Sequence, residues 1–134
     1  MTTVKGETFH LSDRRGHYLL LLPTTPGCGP CMANLAILED VYPDYRGQGV
    51  AVIFLDIYPQ EQPGFWETIS REFSDSGYTW AAVGSENFVL EYDIKTLGTI
   101  ILVNPQGNVV FRSNEVIRPE TYRHLLELAT MKTR

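Results

Sequence analysis

Cysteine is nearly absent from this chain, with two residues in 134, Cys28 and Cys31. Two thiols cannot build the multi-bridge framework of a disulfide-stapled scaffold, and a chain of this length buries a core without one. Positive charge is also scarce. Eleven Lys and Arg stand against 16 Asp and Glu, a net charge of −5 with no basic stretch, which argues against a general nucleic-acid binder. No apolar run approaches the roughly 18–20 residues of a membrane span. Met1 to His17 is polar and lacks the apolar stretch of a secretory signal. The expectation is therefore a cytoplasmic protein or an exported domain without its leader, and two cysteines suit either compartment. Repeats, low-complexity tracts and long linkers are missing too, so residues 1–134 read as one domain. His10, His17 and His124 show no pairing spacing, so no metal site is expected.

What is present describes an ordinary globular core, at 43% hydrophobic and 20% charged residues. Thr8-Phe9-His10-Leu11 alternates weakly, and Asp13-Arg14-Arg15-Gly16 then turns, which reads as an N-terminal strand or hairpin leading into a strand at Tyr18–Leu22. A helix is expected from about Cys28 to Tyr45, with Leu35, Leu38, Val41 or Tyr42, and Tyr45 as its apolar stripe. The continuous run Val50–Leu55 suits a central parallel strand covered on both faces. Pro59 and Pro63 bracket a loop before a second helix marked by Phe65, Trp66, Ile69 and Phe73. A short strand at Thr79–Val83 and a short helix at Glu86–Tyr92 follow. Strands at Thr99–Val103 and Val109–Arg112 are joined by the turn Asn104-Pro105-Gln106-Gly107, and Pro119 opens a last helix with Tyr122, Leu125, Leu126 and Ala129 inward. The order implies an α/β fold with a mixed sheet and helices on both faces.

The two cysteines sit together as Cys28-Gly29-Pro30-Cys31, between a core strand and a helix. Strand, C-x-x-C, helix is the arrangement of a reversible thiol–disulfide site. Cys28 falls where unpaired N–H groups and the positive end of the helix dipole stabilise a thiolate, which makes it the nucleophile. Cys31, one turn further in and less exposed, is placed to resolve a mixed disulfide. Gly29 allows close approach of a substrate backbone, and Pro30 at an early helical position needs no hydrogen-bond donor. Two other readings stay open. A purely structural disulfide gains little, because so small a loop barely constrains the unfolded chain. Half of a metal site would need ligands that the histidine spacing does not offer.

From these residues the chain resembles the thioredoxin-fold superfamily, and within it the TlpA/ResA-like thiol–disulfide oxidoreductases, relatives of the AhpC/TSA redoxins. Phe9-x-Leu11-x-Asp13-x-x-Gly16 resembles the family's N-terminal hairpin, and Cys28-Gly29-Pro30-Cys31 is the tetrapeptide of thioredoxin. Tyr92-x-Ile94 followed by Thr99-Ile100-Ile101-Leu102-Val103-Asn104-Pro105-x-Gly107 resembles the strand and turn after the active site. The resemblance implies a thioredoxin fold with an N-terminal β-hairpin extension and disulfide exchange with protein thiols or disulfides and a redox partner protein. It implies no cofactor, because the electrons travel through the cysteine pair. A monomer is expected, and a periplasmic one if a leader was removed.

Three positions depart from the family pattern. Gly27 stands where members usually carry a tryptophan, and Leu22 where thioredoxin has a buried acid. Asp56, at the end of the central strand, is expected to be a solvated loop acid rather than its substitute. Gly98 occupies the place of the proline that faces the disulfide, so the Leu97–Gly98 bond is expected to be trans and the substrate-facing edge altered. Two further functions remain. Thr25-Pro26-Gly27-Cys28 resembles the peroxiredoxin segment whose threonine orients the peroxide, although Leu21 replaces the proline of that motif and no arginine lies in Thr96–Thr99. A non-catalytic interaction module with vestigial cysteines is the other.

Overall fold

A computed structural model describes residues 1–25, 27–60, 62, 64–83 and 88–130. Six strands form one sheet: β1 (Thr2–Thr3), β2 (Tyr18–Thr24), β3 (Val50–Asp56), β4 (Thr79–Ala82), β5 (Ile100–Val103) and β6 (Val109–Ser113). Their spatial order is β1-β4-β3-β2-β5-β6. β2, β3 and β4 are parallel, while β5, β6 and β1 run antiparallel to their neighbours. The described residues also form four α-helices: α1 (Gly29–Val41), α2 (Phe65–Glu72), α3 (Phe88–Glu91) and α4 (Pro119–Thr130).

The centre of the sheet follows from its apolar runs. In β2 and β3 every position can be apolar because both faces are covered. Leu20, Leu22, Val52 and Phe54 pack on one face with Leu35 and Leu38 of α1, Trp66 and Ile69 of α2, and Tyr122 and Leu126 of α4. Leu19, Leu21, Ile53 and Leu55 fill the other face with Met1, Phe9 and Phe88. Helices thus lie on both faces, but unequally. Three share one face, and α3 shares the other with the N-terminal segment. The four inward positions expected on the last helix are all buried.

Three local expectations change. The hairpin sits earlier than residues 8–22: Thr2 bridges Thr8 in antiparallel fashion, and β1 becomes the edge strand by pairing with β4. Leu11–Arg14 is a 3-10 turn, because the Asp13 carboxylate accepts the His10 backbone N–H and curls the chain. α1 stops at Val41 and passes into a 3-10 turn over Tyr42–Asp44. Pro43 explains this, since its ring collides with the carbonyl four residues back and it offers no N–H to continue the helix. The short helix expected at Glu86–Tyr92 is seen at Phe88–Glu91, and its first two expected residues lie outside the described set, as does Pro63.

The connection between β5 and β6 is a tight turn in which the Asn104 side chain accepts the N–H groups of Gln106 and Asn108. β3 delivers its carboxyl end beside that of β2, with Asp56 opposite Thr24. β5 runs the other way, so the residues that precede it arrive at the same end of the sheet. There the cysteines lie.

Candidate active site

β2 continues past its last apolar pair to Pro23 and Thr24, and the chain then turns through Thr25 to Gly27 and Cys28. Gly27 has φ +82°, a left-handed conformation that the family's usual tryptophan would adopt only under strain. Cys28 has extended backbone angles and serves as the N-cap of α1, its N–H donating to the Thr25 carbonyl. Its sulfur accepts the Cys31 N–H at 3.1 Å, so one of the unpaired donors of the first turn is already aimed at sulfur. Pro30 occupies the first turn at no hydrogen-bond cost.

Cys28 and Cys31 are joined by a disulfide, with an S–S distance of 2.06 Å and Cα atoms 5.3 Å apart. Cys31 Sγ lies 3.8 Å from the Pro23 carbonyl oxygen, an acceptor for its thiol in the reduced pair. The sequence led us to expect Cys31 to be the less exposed. Both residues are instead 2% exposed. Gly27, Gly29 and Pro30 around them face solvent.

The opposite wall is the turn that precedes β5. Leu97 is exposed, and Gly98 behind it is buried with φ +87°. No cis peptide bond occurs among the described residues, so Leu97–Gly98 is trans. A Cβ on Gly98 would stand 2.7 Å from the Pro30 Cβ, which makes this a contact only glycine permits. Thr99 Oγ1 donates to the Thr96 carbonyl, and Thr96 Oγ1 donates to that of Asn114.

One residue at the site escaped the sequence reading, and another was misjudged by it. Asn34 lies on the buried face of α1 with no exposure. Its Nδ2 donates to the Gly98 carbonyl at 3.1 Å, and its Oδ1 accepts the Tyr122 hydroxyl of α4 at 2.8 Å. The signal was available: Asn34 is three residues after Cys31 and four before Leu38, so it shares their face. Asp56 is the one misjudged. Against the expectation of a solvated loop acid, it is 4% exposed, and its carboxylate accepts the Tyr58 N–H. Its parity with Val52 and Phe54 turns it toward the face of α1.

Leu22 is buried and apolar in the core beneath the site. Thr25 Oγ1 is buried with no hydrogen-bond partner. The Arg112 guanidinium is committed to the Tyr92 and Asp93 carbonyls, and the three histidines are exposed.

The Redoxin family model matches residues 1–127. The chain belongs to the Redoxin family. Within it, the chain is similar to the thiol–disulfide oxidoreductase ResA of Halalkalibacterium halodurans, at 28% identity over 109 residues, covering 80% of this chain and 59% of ResA. The chain spans about three fifths of the length of the curated relatives it matches, between 57 and 61% of three ResA proteins. Among solved structures, a thiol:disulfide interchange protein from Bacteroides sp. superimposes with a TM-score of 0.79 at 20% identity, over 99% of this chain and 86% of that one. The exposed lipoprotein thioredoxin of Streptococcus pneumoniae gives 0.73 at 17% identity, with 96% of both chains covered. The fold of this Redoxin-family chain is that of thioredoxin, as its tetrapeptide led us to expect.

Proposed function

We propose that this chain is a thiol–disulfide oxidoreductase that exchanges the Cys28–Cys31 disulfide with protein thiols and disulfides. One observation carries the reading: the disulfide closes over the first turn of α1, with Cys28 as the N-cap and its sulfur already accepting a backbone N–H. That donor and the helix dipole favour negative charge on Cys28 sulfur, which improves it as a leaving group.

In the oxidised protein a partner thiolate attacks Cys28 Sγ. The Cys28–Cys31 bond breaks, Cys31 departs as a thiolate and takes up a proton, and a mixed disulfide forms. A second partner thiolate then attacks the partner's sulfur in that bond and releases Cys28 as a thiolate. Two electrons have entered the pair, and the partner leaves with a disulfide. The reverse sequence starts from the Cys28 thiolate, and Cys31 resolves the mixed disulfide. Gly27, Gly29, Pro30 and Leu97, with Gly98 buried behind Leu97, form the surface on which the partner chain docks. The domain is proposed to act as a monomer; a place outside the cytoplasm is favoured because one structural relative is described as an exposed lipoprotein.

The test is the reduction potential of the pair, by alkylation after equilibration in thiol–disulfide buffers. A two-electron couple between about −270 and −120 mV is the expected result, and its value sets the direction of electron flow. No interconverting couple, or over-oxidation of Cys28 alone, would overturn the proposal.

A thiol peroxidase is favoured by one observation, the buried and unpartnered Thr25 hydroxyl three residues before Cys28. Peroxide consumption that needs both Cys28 and the Thr25 hydroxyl would move the assignment there. Peroxide turnover no faster than that of a free thiol would retire it.

A further inference from the structure

Asn34 is an anomaly in its helix. The other buried positions of α1 after Cys31 are Leu35, Leu38 and Val41, and an amide among them costs free energy unless both its ends are bonded. Both are, and by partners far away in sequence: Gly98 is 64 residues distant and Tyr122 is 88. The chemistry of the three groups allows only one arrangement. The Gly98 carbonyl can only accept, so it must face Nδ2, and Oδ1 is then left facing Tyr122, which must donate. Burial pushes the Tyr122 pKa up, so its hydroxyl keeps the proton it donates.

The carbonyl held in this way belongs to the turn that stands against the C-x-x-C segment. Gly98 meets Pro30 at a distance no other residue tolerates, and Leu97 beside it is exposed. With both cysteines at 2% exposure, a polypeptide reaching Cys28 meets this turn on arrival. We infer that Asn34, oriented by Tyr122, is a positioning residue for the reaction: it fixes the Leu97–Gly98 peptide edge against Pro30, so that a polypeptide partner docks on a preformed backbone surface beside Cys28. The inference rests on the thiol–disulfide reading. It assigns Asn34 no part in electron or proton transfer, so a small disulfide that needs no docking edge reacts without its help.

The experiment compares the full chain with Asn34→Leu, which keeps the side-chain shape and adds no charge, and with Tyr122→Phe, which leaves the amide in place but removes what orients it. Each reduced protein is assayed against insulin and against 2,2′-dithiodipyridine. Asn34→Leu is expected to lower kcat/KM for insulin about tenfold, the value of one buried hydrogen bond, and Tyr122→Phe about threefold. The rate with the small disulfide is expected to stay within about twofold in both variants. An unchanged insulin rate in the folded variants would overturn the inference, as would equal losses with both disulfides. If Asn34→Leu fails to fold, Tyr122→Phe alone decides. A wild-type protein that reacts with the small disulfide and is inert toward insulin brings down protein-disulfide exchange itself, and the docking role with it.

Discussion

On one side of the Cys28–Cys31 disulfide stands the first turn of α1, and on the other stands the Thr96–Thr99 turn. The first is built from neighbours in sequence. Cys28 caps the helix, Gly27 supplies the left-handed bend before it, and Pro30 needs no donor. The second is held from a distance, by the Asn34 amide, by the Asn114 carbonyl and by contact with Pro30. On the proposed reading, the chemistry belongs to the locally determined wall and the docking edge to the other. A locally built wall survives distant substitutions, whereas a remotely held one can be altered without touching the sulfurs.

The largest expected effect removes the chemistry. Cys28→Ser should abolish disulfide exchange altogether, and Cys31→Ser should accumulate mixed disulfides with the partner, visible as added mass under non-reducing conditions. Full turnover by the Cys28→Ser protein would end the proposed mechanism.

Next comes the contact that joins the two walls. Gly98→Ala asks a residue with a Cβ to hold φ +87° and to stand 2.7 Å from Pro30 Cβ. The left-handed conformation costs about 1–2 kcal/mol, and overpacking adds about 1–3. A stability loss of about 3 kcal/mol is expected, read as a midpoint shift in denaturant or a melting temperature lower by about 10 °C. Adding Pro30→Gly should return only the contact part, giving a coupling of about 1 kcal/mol or more in a double-mutant cycle. Additive losses would mean that the walls do not press on each other.

The same division decided what the residues foretold. The strand, the C-G-P-C segment and the helix after it announce themselves between Tyr18 and Val41, because capping, dipole and apolar spacing act over one or two turns. Register against the family's proline position places Gly98, yet what holds it there is not legible in the residues around it. Asn34 reads as a polar helix residue until Tyr122 and Gly98 are brought to it by folding. Asp56 read as a loop acid because the apolar run stops at Leu55, although the inward parity of Val52 and Phe54 continues one step further. Pro43 was a local signal, and it shortens α1 by the helix rule it breaks. The early hairpin, by contrast, depends on β1 finding the β4 edge, which no pattern within residues 1–17 reveals.

Asn104 offers a milder perturbation at the opposite end of the sheet. Its side chain satisfies two backbone N–H groups of the β5–β6 turn, on Gln106 and Asn108, both of them exposed residues whose N–H groups can turn to water instead. Asn104→Ala should therefore cost about 1 kcal/mol and leave the reduction potential unchanged, since the turn lies far along β5 from Gly98.

The smallest effect has the opposite sign. Thr25 Oγ1 is buried without a partner in the disulfide-bonded protein, and such a hydroxyl carries a desolvation cost that an isosteric methyl does not. Thr25→Val should stabilise the oxidised protein by about 1 kcal/mol, raising its melting temperature by about 3 °C, with the insulin rate unchanged. A loss of activity without loss of stability would mean that the hydroxyl finds its partner only after the disulfide opens, on the Cys28 sulfur that the first turn of α1 presents. In that event the locally built wall would extend three residues further back than its caps and donors require.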